Sequence, residues 1–336
     1  MTRDDLQRIV RIGKRVDPLI LRSIALNSSP EFRPSLQYHF RAGGKRVRAA
    51  IVILASAAAG GSIKSSIVPA TVVEMIHNYS LVMDDIIDHG DVRRGVPTAR
   101  AFLGDSIALL AAMYYREILD KLIQRCNARE NIRRVAVDSM CEIIDGERLD
   151  LQLEQAGRTD PYLIAHRVSH PIFPTYLEMI GRKTASLFRA AGQIGGYSAK
   201  ANDGVVYGLG QFGWKSGLAF QVMDDVLDIC GKSTGKQPGK DIIEHKLGNA
   251  VILVAIRFMR RDNRRRLMRI LQSRRVSPKM ARAARSLIGE TPAENVCREI
   301  AGAFSAEAKE HLSVIKDSSS KRDLELLCDE MVNRSF

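Results

Sequence analysis

The 336-residue chain contains a single tryptophan, and aromatic residues make up only 6% of it. Its five cysteines, Cys126, Cys141, Cys230, Cys297 and Cys328, are odd in number, far apart and form no C-x-x-C pair. That spacing excludes a zinc knuckle and suggests no disulfide framework. No uninterrupted apolar stretch reaches the roughly 20 residues that span a bilayer. The opening residues, "MTRDDLQRIVRIGKRV", mix acids with bases and lack an apolar h-region, so no signal peptide is expected. No Asn-Gly or Asp-Gly pair is flanked by alternating residues, so hairpin signals are scarce. Low-complexity tracts, short-period repeats and Ser-His-Asp or Cys-His arrangements are also missing, so a protein nucleophile is not suggested. These absences lead to the expectation of a soluble, cytoplasmic protein.

What is present is helical periodicity. Apolar residues recur at i, i+3, i+4 spacing through residues 44–60, 68–88, 106–125, 131–157, 173–192, 205–230 and 249–271, and in two amphipathic segments near the C-terminus. Several of these segments are apolar almost all round, which predicts central helices shielded by others. With 45% hydrophobic residues a large core is possible. The expectation is one all-α domain over 1–336, a bundle of many helices, with "GKSTGKQPGKD" (231–241) as a loop within it.

Charge is the second strong feature. There are 51 Lys and Arg against 38 Asp and Glu, a net charge of +13, and the sequence pI is about 9.7. This balance favours anionic partners without choosing among them. Against that background, "YSLVMDDIIDHGDVRRG" (79–95) places Asp84, Asp85 and Asp88 at the end of an apolar run and follows them with Arg93 and Arg94. "QVMDDVLDIC" (221–230) repeats the spacing with Asp224, Asp225 and Asp228. On a helix, residues i and i+4 share a face, so the carboxylates repel, and burial raises that cost. One such cluster is ordinary on a solvated face. Two, each closing an apolar helix, fit hard divalent cations better, because Mg²⁺ takes a few carboxylates together with waters and substrate phosphates. The basic residues then complete a polyanion site: Lys45, Arg46 and Arg48 at an expected helix start, Arg93 and Arg94, Lys183 beside Thr184, and Lys236, Lys240 and Lys246.

At this point the chain resembles a family, the trans-type isoprenyl diphosphate synthases, most of all the archaeal-type geranylgeranyl and farnesyl diphosphate synthases. The resemblance runs from about Tyr38 to about Ile252 through "GGKRVR", "EMIHNYSLVMDDIIDHGDVRRGVPT", "YLEMIGRKTASLF", "FQVMDDVLD" and "GKQPGKDIIEHK", in family order. A lone D-D-x-x-D is weak, since terpene cyclases carry one. The pair, together with G-G-K-R, R-R-G and K-T, is specific.

The resemblance implies a helix bundle around a deep apolar cavity, with the two Asp motifs at its mouth. It implies head-to-tail condensation of isopentenyl diphosphate with dimethylallyl, geranyl or farnesyl diphosphate. Asp84, Asp88 and Asp224 would ligate Mg²⁺, three ions per active site, supported by Asp85, Asp225 and Asp228. Arg93, Lys183 and Lys236, helped by Lys246, would hold the allylic diphosphate, and Thr184 and Gln221 would steady its reacting end. Gly44, Lys45, Arg48, His77 and Arg94 match the isopentenyl diphosphate pocket, which Arg334 would close. Tyr79, five residues and about 7.5 Å along the helix from Asp84, would form the floor that limits chain length, with the small Ser80 leaving space. This pattern points to a C20 product, with C15 and C25 as alternatives; the plainer alternative for Tyr79 is packing in the core. A homodimer is implied as well.

The match frays in places. "EHKLGNA" departs from the family pattern at His245, Gly248, Asn249 and Ala250, and Ala112-Met113 replace a frequent G-D pair. Glu147 stands for Gln, and Ala49 stands where Pro is common. These departures keep open a weakly active or regulatory subunit of a heteromeric synthase. His166 and His170, at i, i+4, have no third ligand nearby in sequence, so a metal pair is not expected. "RFMRRDNRRRLMR" (257–269) lacks interleaved aromatics for base stacking. It fits a solvated face, or contact with the membrane that receives the product, better than nucleic acid.

Overall fold

The structure is a computed structural model that describes residues 3–231 and 239–333. Helices dominate it, and the strands among the described residues are Val92–Arg93 and Val96–Pro97. The all-α expectation holds. The chain divides into two compact units, each assembled from separated segments. The first comprises Met1–Cys141, Ser186–Trp214 and Ala308–Glu330; the second comprises Glu142–Ala185, Lys215–Glu307 and Met331–Phe336.

In the first unit the helix Val47–Ala58 is buried on every side from Ala49 to Ser56. It packs against Ile63–Ile87 and Ser186–Ser198, and Asp105–Ile123 also packs on Ile63–Ile87. The expected start at Val68 moves back to Ile63, because Ser62 caps the helix by accepting the Ser65 N–H at 3.1 Å. Pro69 therefore lies inside the helix, buried, where packing outweighs the lost backbone bond. Helices Arg3–Gly13, Asp17–Asn27 and Arg33–Arg41 precede this core.

In the second unit Phe173–Ile180 packs on Ala250–Phe258, and Pro278–Gly289 packs on Ala250–Phe258 and Arg261–Leu271. The expected continuous helix over 249–271 is broken, since Met259 and Arg260 adopt extended ψ values of 142° and 153°. The helix expected over 131–157 ends at Gln152, and Glu154 bridges to Lys246 instead. The segment predicted as one helix over 173–192 contains a π-helical turn, Gly181–Ala185.

Candidate active site

The first Asp cluster ends the helix Ile63–Ile87. Asp85 is buried, Asp84 and Asp88 are half-buried, and Asp88 caps the helix C-terminus. The chain then turns back in a two-residue hairpin in which Val92 pairs with Pro97 and Arg93 with Val96. Its loop residues, Arg94 and Gly95, have φ of 55° and 79°, as a left-handed hairpin turn requires. No standard hairpin dipeptide marks this turn; Gly95 after two arginines was its only signal. The turn aims Arg93 back at the acids. Its Nε donates to Asp85 Oδ1 and Oδ2 at 2.9 and 3.0 Å, and its Nη2 donates to Asp84 Oδ2 at 2.9 Å.

Arg94 points the other way and donates to the Gly43 carbonyl. Gly44 has φ +148°, and a Cβ there would lie 2.8 Å from Arg94 Nη1, so only glycine admits this approach. Lys45 is exposed. Arg48 lies over the Phe188 ring, 4.4 Å from its centroid, and 3.3 Å from His77 Nε2. Because a guanidinium only donates, His77 Nε2 accepts and its proton sits on Nδ1. Burial, followed by the positive charge of Arg48, Arg94 and Arg93, holds the His77 pKa well below its usual value. Gly44, Arg48, His77 and Arg94 are thus close neighbours on a surface of positive sign.

Arg46 departs from the expectation that it joins the anion-binding cations. Its backbone is left-handed at φ 54°, and its side chain turns inward to Asp17 at 2.7 Å and Glu74 at 3.2 Å. Glu74 also receives Asn78 Nδ2 at 3.1 Å, while its Oε2 has no hydrogen-bond partner among the described residues. This buried network braces residues 43–48. Its signal was available as Glu74 and Asn78, two polar residues at i, i+4 on an otherwise apolar helix face. Tyr79 and Ser80 are half-buried on the same helix, and Ser80 Oγ donates to the His77 carbonyl at 2.8 Å.

The second Asp cluster ends the helix Asp203–Cys230. Asp225 is buried and accepts from Tyr176 Oη at 2.8 Å, the Ala250 N–H at 2.8 Å and Gln221 Nε2 at 3.0 Å. Gln221 in turn accepts from Thr184 Oγ1 at 2.8 Å, so Thr184, Gln221 and Asp225 form one chain of hydrogen bonds. Asp228 accepts the backbone N–H groups of Lys240 and Asp241, each at 3.1 Å. Burial, then repulsion from Asp241, pushes Asp228 up to about 7 and raises Asp225 well above the carboxylate range. Asp224 is half-buried on the same helix.

Lys183 lies in the π-helical turn, a distortion common at functional sites. Its Nζ sits 2.7 Å from both Asp150 and Glu147. Lys246 also reaches Asp150, at 3.3 Å, and Glu244, at 3.4 Å. The sequence reading missed Asp150 as the shared anchor, and the Glu147 departure adds a second acid under Lys183. Gly146 makes the crossing possible, since a Cβ there would lie 2.2 Å from the Lys183 backbone N.

The irregular 245–250 segment is well supported. His245, at φ 62°, sets Nδ1 3.0 Å from the Leu271 carbonyl. Asn249 caps the helix Ala250–Phe258 by accepting the N–H groups of Val251 and Ile252, and it donates to Asp241 at 2.8 Å. A Cβ at Gly248 would meet Leu153 Cδ1 at 2.7 Å. Elsewhere, Ala112 is buried and Met113 exposed. His166 follows the end of the helix Pro161–Ala165, so His166 and His170 do not share a helical face. Lys236 and Arg334 lie outside the described residues.

Acid clusters end two long helices, Arg93 pairs with the first, and the cations Lys183 and Lys246 gather on Asp150; carboxylates and cations of this kind suit a charged, oxygen-rich ligand such as a diphosphate. The comparisons say which class. The Polyprenyl synthetase family model matches residues 29–288. The chain is 30% identical over 330 residues to a geranylgeranyl diphosphate synthase of Methanosarcina mazei, covering 96% of each chain. It is 31% identical over 307 residues to a geranylfarnesyl diphosphate synthase of Aeropyrum pernix, covering 88% of this chain and 91% of that one. Its fold matches the crystal structure of a polyprenyl synthase from Caulobacter crescentus complexed with calcium and isoprenyl diphosphate, with a TM-score of 0.85, 28% identity and 98% of each chain covered. The chain belongs to the polyprenyl synthetase family and is a prenyltransferase, a prenyl diphosphate synthase.

Proposed function

We propose that the chain joins isopentenyl diphosphate head to tail to dimethylallyl, geranyl or farnesyl diphosphate, in the presence of Mg²⁺, and makes the all-trans C20 product geranylgeranyl diphosphate. The observation that carries this reading is the gathering of three acids at one helix end: Asp225 is buried, and Asp228 accepts the backbone N–H groups of Lys240 and Asp241, which brings Asp241 beside it. Such crowding stabilises nothing by itself and is relieved by a cation.

The donors are all carboxylate oxygens, the type a hard divalent ion takes. Among the described residues no three His, Cys, Asp or Glu side chains form a ready metal cage. Mg²⁺ completes its shell with water and substrate phosphate. Asp84, Asp88 and Asp224 would hold it, supported by Asp85, Asp225 and Asp228, with three ions in all. When bound, the metal supplies positive charge against which the diphosphate leaves. The calcium named for the Caulobacter relative supports this choice of ion class.

The chain's own residues do the rest. Arg93, Lys183, Lys246 and Lys236 bind the allylic diphosphate, and Lys183 and Lys246 exchange their hold on Asp150 for phosphate oxygens. The Thr184 and Gln221 oxygens stabilise the cation developing at the allylic carbon. Gly44, Lys45, Arg48, His77 and Arg94 bind isopentenyl diphosphate, with neutral His77 orienting the Arg48 guanidinium, and Arg334 closes over them. An apolar cavity excludes water from the cation. The proton lost after carbon–carbon bond formation goes to the departing diphosphate.

Tyr79 and Ser80 set the chain length in this reading. Tyr79→Ala should lengthen the product by at least one isoprene unit on product sizing; an unchanged distribution removes Tyr79 as the floor. The relatives' names, C20 in one case and C25 in the other, keep C25 as a second outcome, beside C15. The enzyme is proposed to act in the cytoplasm as a single domain; the family match, 29–288, runs through segments of both units. A homodimer is proposed on the exposed Leu109, Leu110 and Met113 of the helix Asp105–Ile123. Product release at a membrane surface is part of the proposal, and nucleic acid is not. No helix among the described residues is long and apolar enough to cross a membrane.

The test is incubation of purified protein with Mg²⁺, radiolabelled isopentenyl diphosphate and each starter in turn, with products sized. Elongated products support the reaction. Their absence with every starter, from folded protein, favours the second reading, a subunit that needs a partner. The His245, Gly248, Asn249 and Ala250 departures motivate that second reading.

A further inference from the structure

The positive charge of the chain is concentrated in one place. Residues 257–275 hold nine arginines and one acid, Asp262, a local charge of +8 in a chain whose net charge is +13. All nine arginines are exposed. The helix Arg261–Leu271 buries Leu267 and Leu271 completely. At 100° per residue, Arg261, Arg265, Arg266 and Arg269 fall on the opposite side, away from the core. Asp262 lies 3.9 Å from Arg265 and cannot neutralise the rest. Phe258, at the end of the preceding helix, is 54% exposed.

This face does not serve stability. Arg261 with Arg265, and Arg265 with Arg269, are like charges at i, i+4, which oppose the helix they sit on. None of these arginines belongs to the diphosphate machinery described above. A basic helix face with an exposed apolar side chain just before it in the chain matches an anionic lipid surface: the guanidinium groups meet headgroup phosphates and the ring enters the boundary layer. Nucleic acid fits less well, since Phe258 is the lone aromatic in the segment and base stacking needs several.

We propose that the face formed by Arg261, Arg265, Arg266 and Arg269, with Phe258 beside it, docks the enzyme on an anionic phospholipid surface. This rests on the proposed release of an apolar-tailed product at a membrane. Docking of this kind is electrostatic, so it weakens as the screening length shrinks from about 10 Å at 0.1 M salt to about 3 Å at 1 M.

The test is flotation of the full chain with phosphatidylglycerol–phosphatidylcholine vesicles and with pure phosphatidylcholine vesicles, at 0.1 M and 1 M salt. The expected result is partition to the anionic vesicles alone, lost at 1 M salt. Each arginine near the surface adds roughly fivefold to partitioning, so the R261Q/R265Q/R266Q/R269Q variant should lose at least a hundredfold. The four matching Arg→Lys changes should retain most of it. Turnover on soluble substrates should be the same in all three proteins. Equal partition of parent and Gln variant, no partition of the parent, or tighter binding to duplex DNA or single-stranded RNA than to the vesicles would each overturn the proposal. If no protein turns over substrate while vesicle binding follows the arginines, the reaction reading fails and the docking surface stands.

Discussion

The helix ends at Asp84–Asp85–Asp88 and at Asp224–Asp225–Asp228 carry the same spacing of acids, yet a charged donor holds Asp84 and Asp85 while neutral donors hold Asp225 and Asp228. Around the first, Arg93 bridges Asp84 and Asp85, and Arg94, Arg46 and Arg48 lie close enough to depress the neighbouring histidines. In the second, neutral donors hold Asp225 and Asp228, and burial followed by repulsion from Asp241 raises both, with Glu244 adding to the effect at Asp228. One motif therefore has two electrostatic solutions. A cation-rich setting is prepared for anionic substrate; an acid-rich one retains an appetite for cations.

The largest effect should come from removing either cluster's leading acid. Asp84→Ala and Asp224→Ala should each lower turnover by about a thousandfold, the scale at which loss of charge stabilisation in a transition state is felt. Far-ultraviolet circular dichroism should stay unchanged. Retained activity in one variant and not the other would break the symmetry of the two clusters.

The first cluster's setting depends on the buried Arg46–Glu74 pair. Glu74→Ala should destabilise the protein by about 3 kcal/mol in urea unfolding, because it removes one of the two carboxylates that pair with buried Arg46 and leaves Asp17 to hold it. Replacing both partners by apolar residues should recover much of that loss, since no unpaired charge remains.

The pH dependence sharpens the comparison. Burial, then Arg93, Arg94 and Arg46, hold His39 down to about 3 from 6.5. A depressed histidine stabilises the fold above pH 6.5 and loses that contribution as pH falls toward 3, by up to about 1.4 kcal/mol per pH unit. Asp228, raised to about 7 from 3.8, tilts the other way, and its contribution falls as pH rises from about 4 to 7. His39→Phe should flatten the acid side of the stability curve measured by urea unfolding between pH 4.5 and 7; an unaltered slope would mean that His39 is not the titrating group.

The smallest effect probes the neutral support of the second cluster. Tyr176→Phe removes one of three hydrogen bonds to Asp225 and should cost about 1–2 kcal/mol. A loss as large as that at Glu74 would erase the distinction between charged and neutral support.

Much of the helical framework was legible from apolar spacing, because a helix buried along one stripe must repeat near 3.6 residues. The break at Met259–Arg260, the early start at Ile63 and the 92–97 hairpin were not, because each depends on a local angle or cap that periodicity does not encode. Within the candidate site, the motif positions of Asp84, Lys183 and Asp224 were readable. The role of Arg46 was misread: beside Lys45 and Arg48 it looks like another phosphate contact, and the carboxylates of Asp17 and Glu74, 29 and 28 residues away, turn it inward.

The sequence by itself determined the helices, the two acid clusters and the family, since these rest on residue type and short-range spacing. Tertiary structure alone decided which charges are paired with which: Arg93 with Asp84 and Asp85, Lys183 and Lys246 with Asp150, and Arg46 with Glu74. The reason is physical. A charge's partner and its solvation are set by what lies within a few ångströms, and in a folded chain those neighbours are chosen by a turn, as for Arg93, or come from helices far apart in sequence, as for Lys183 and Arg46.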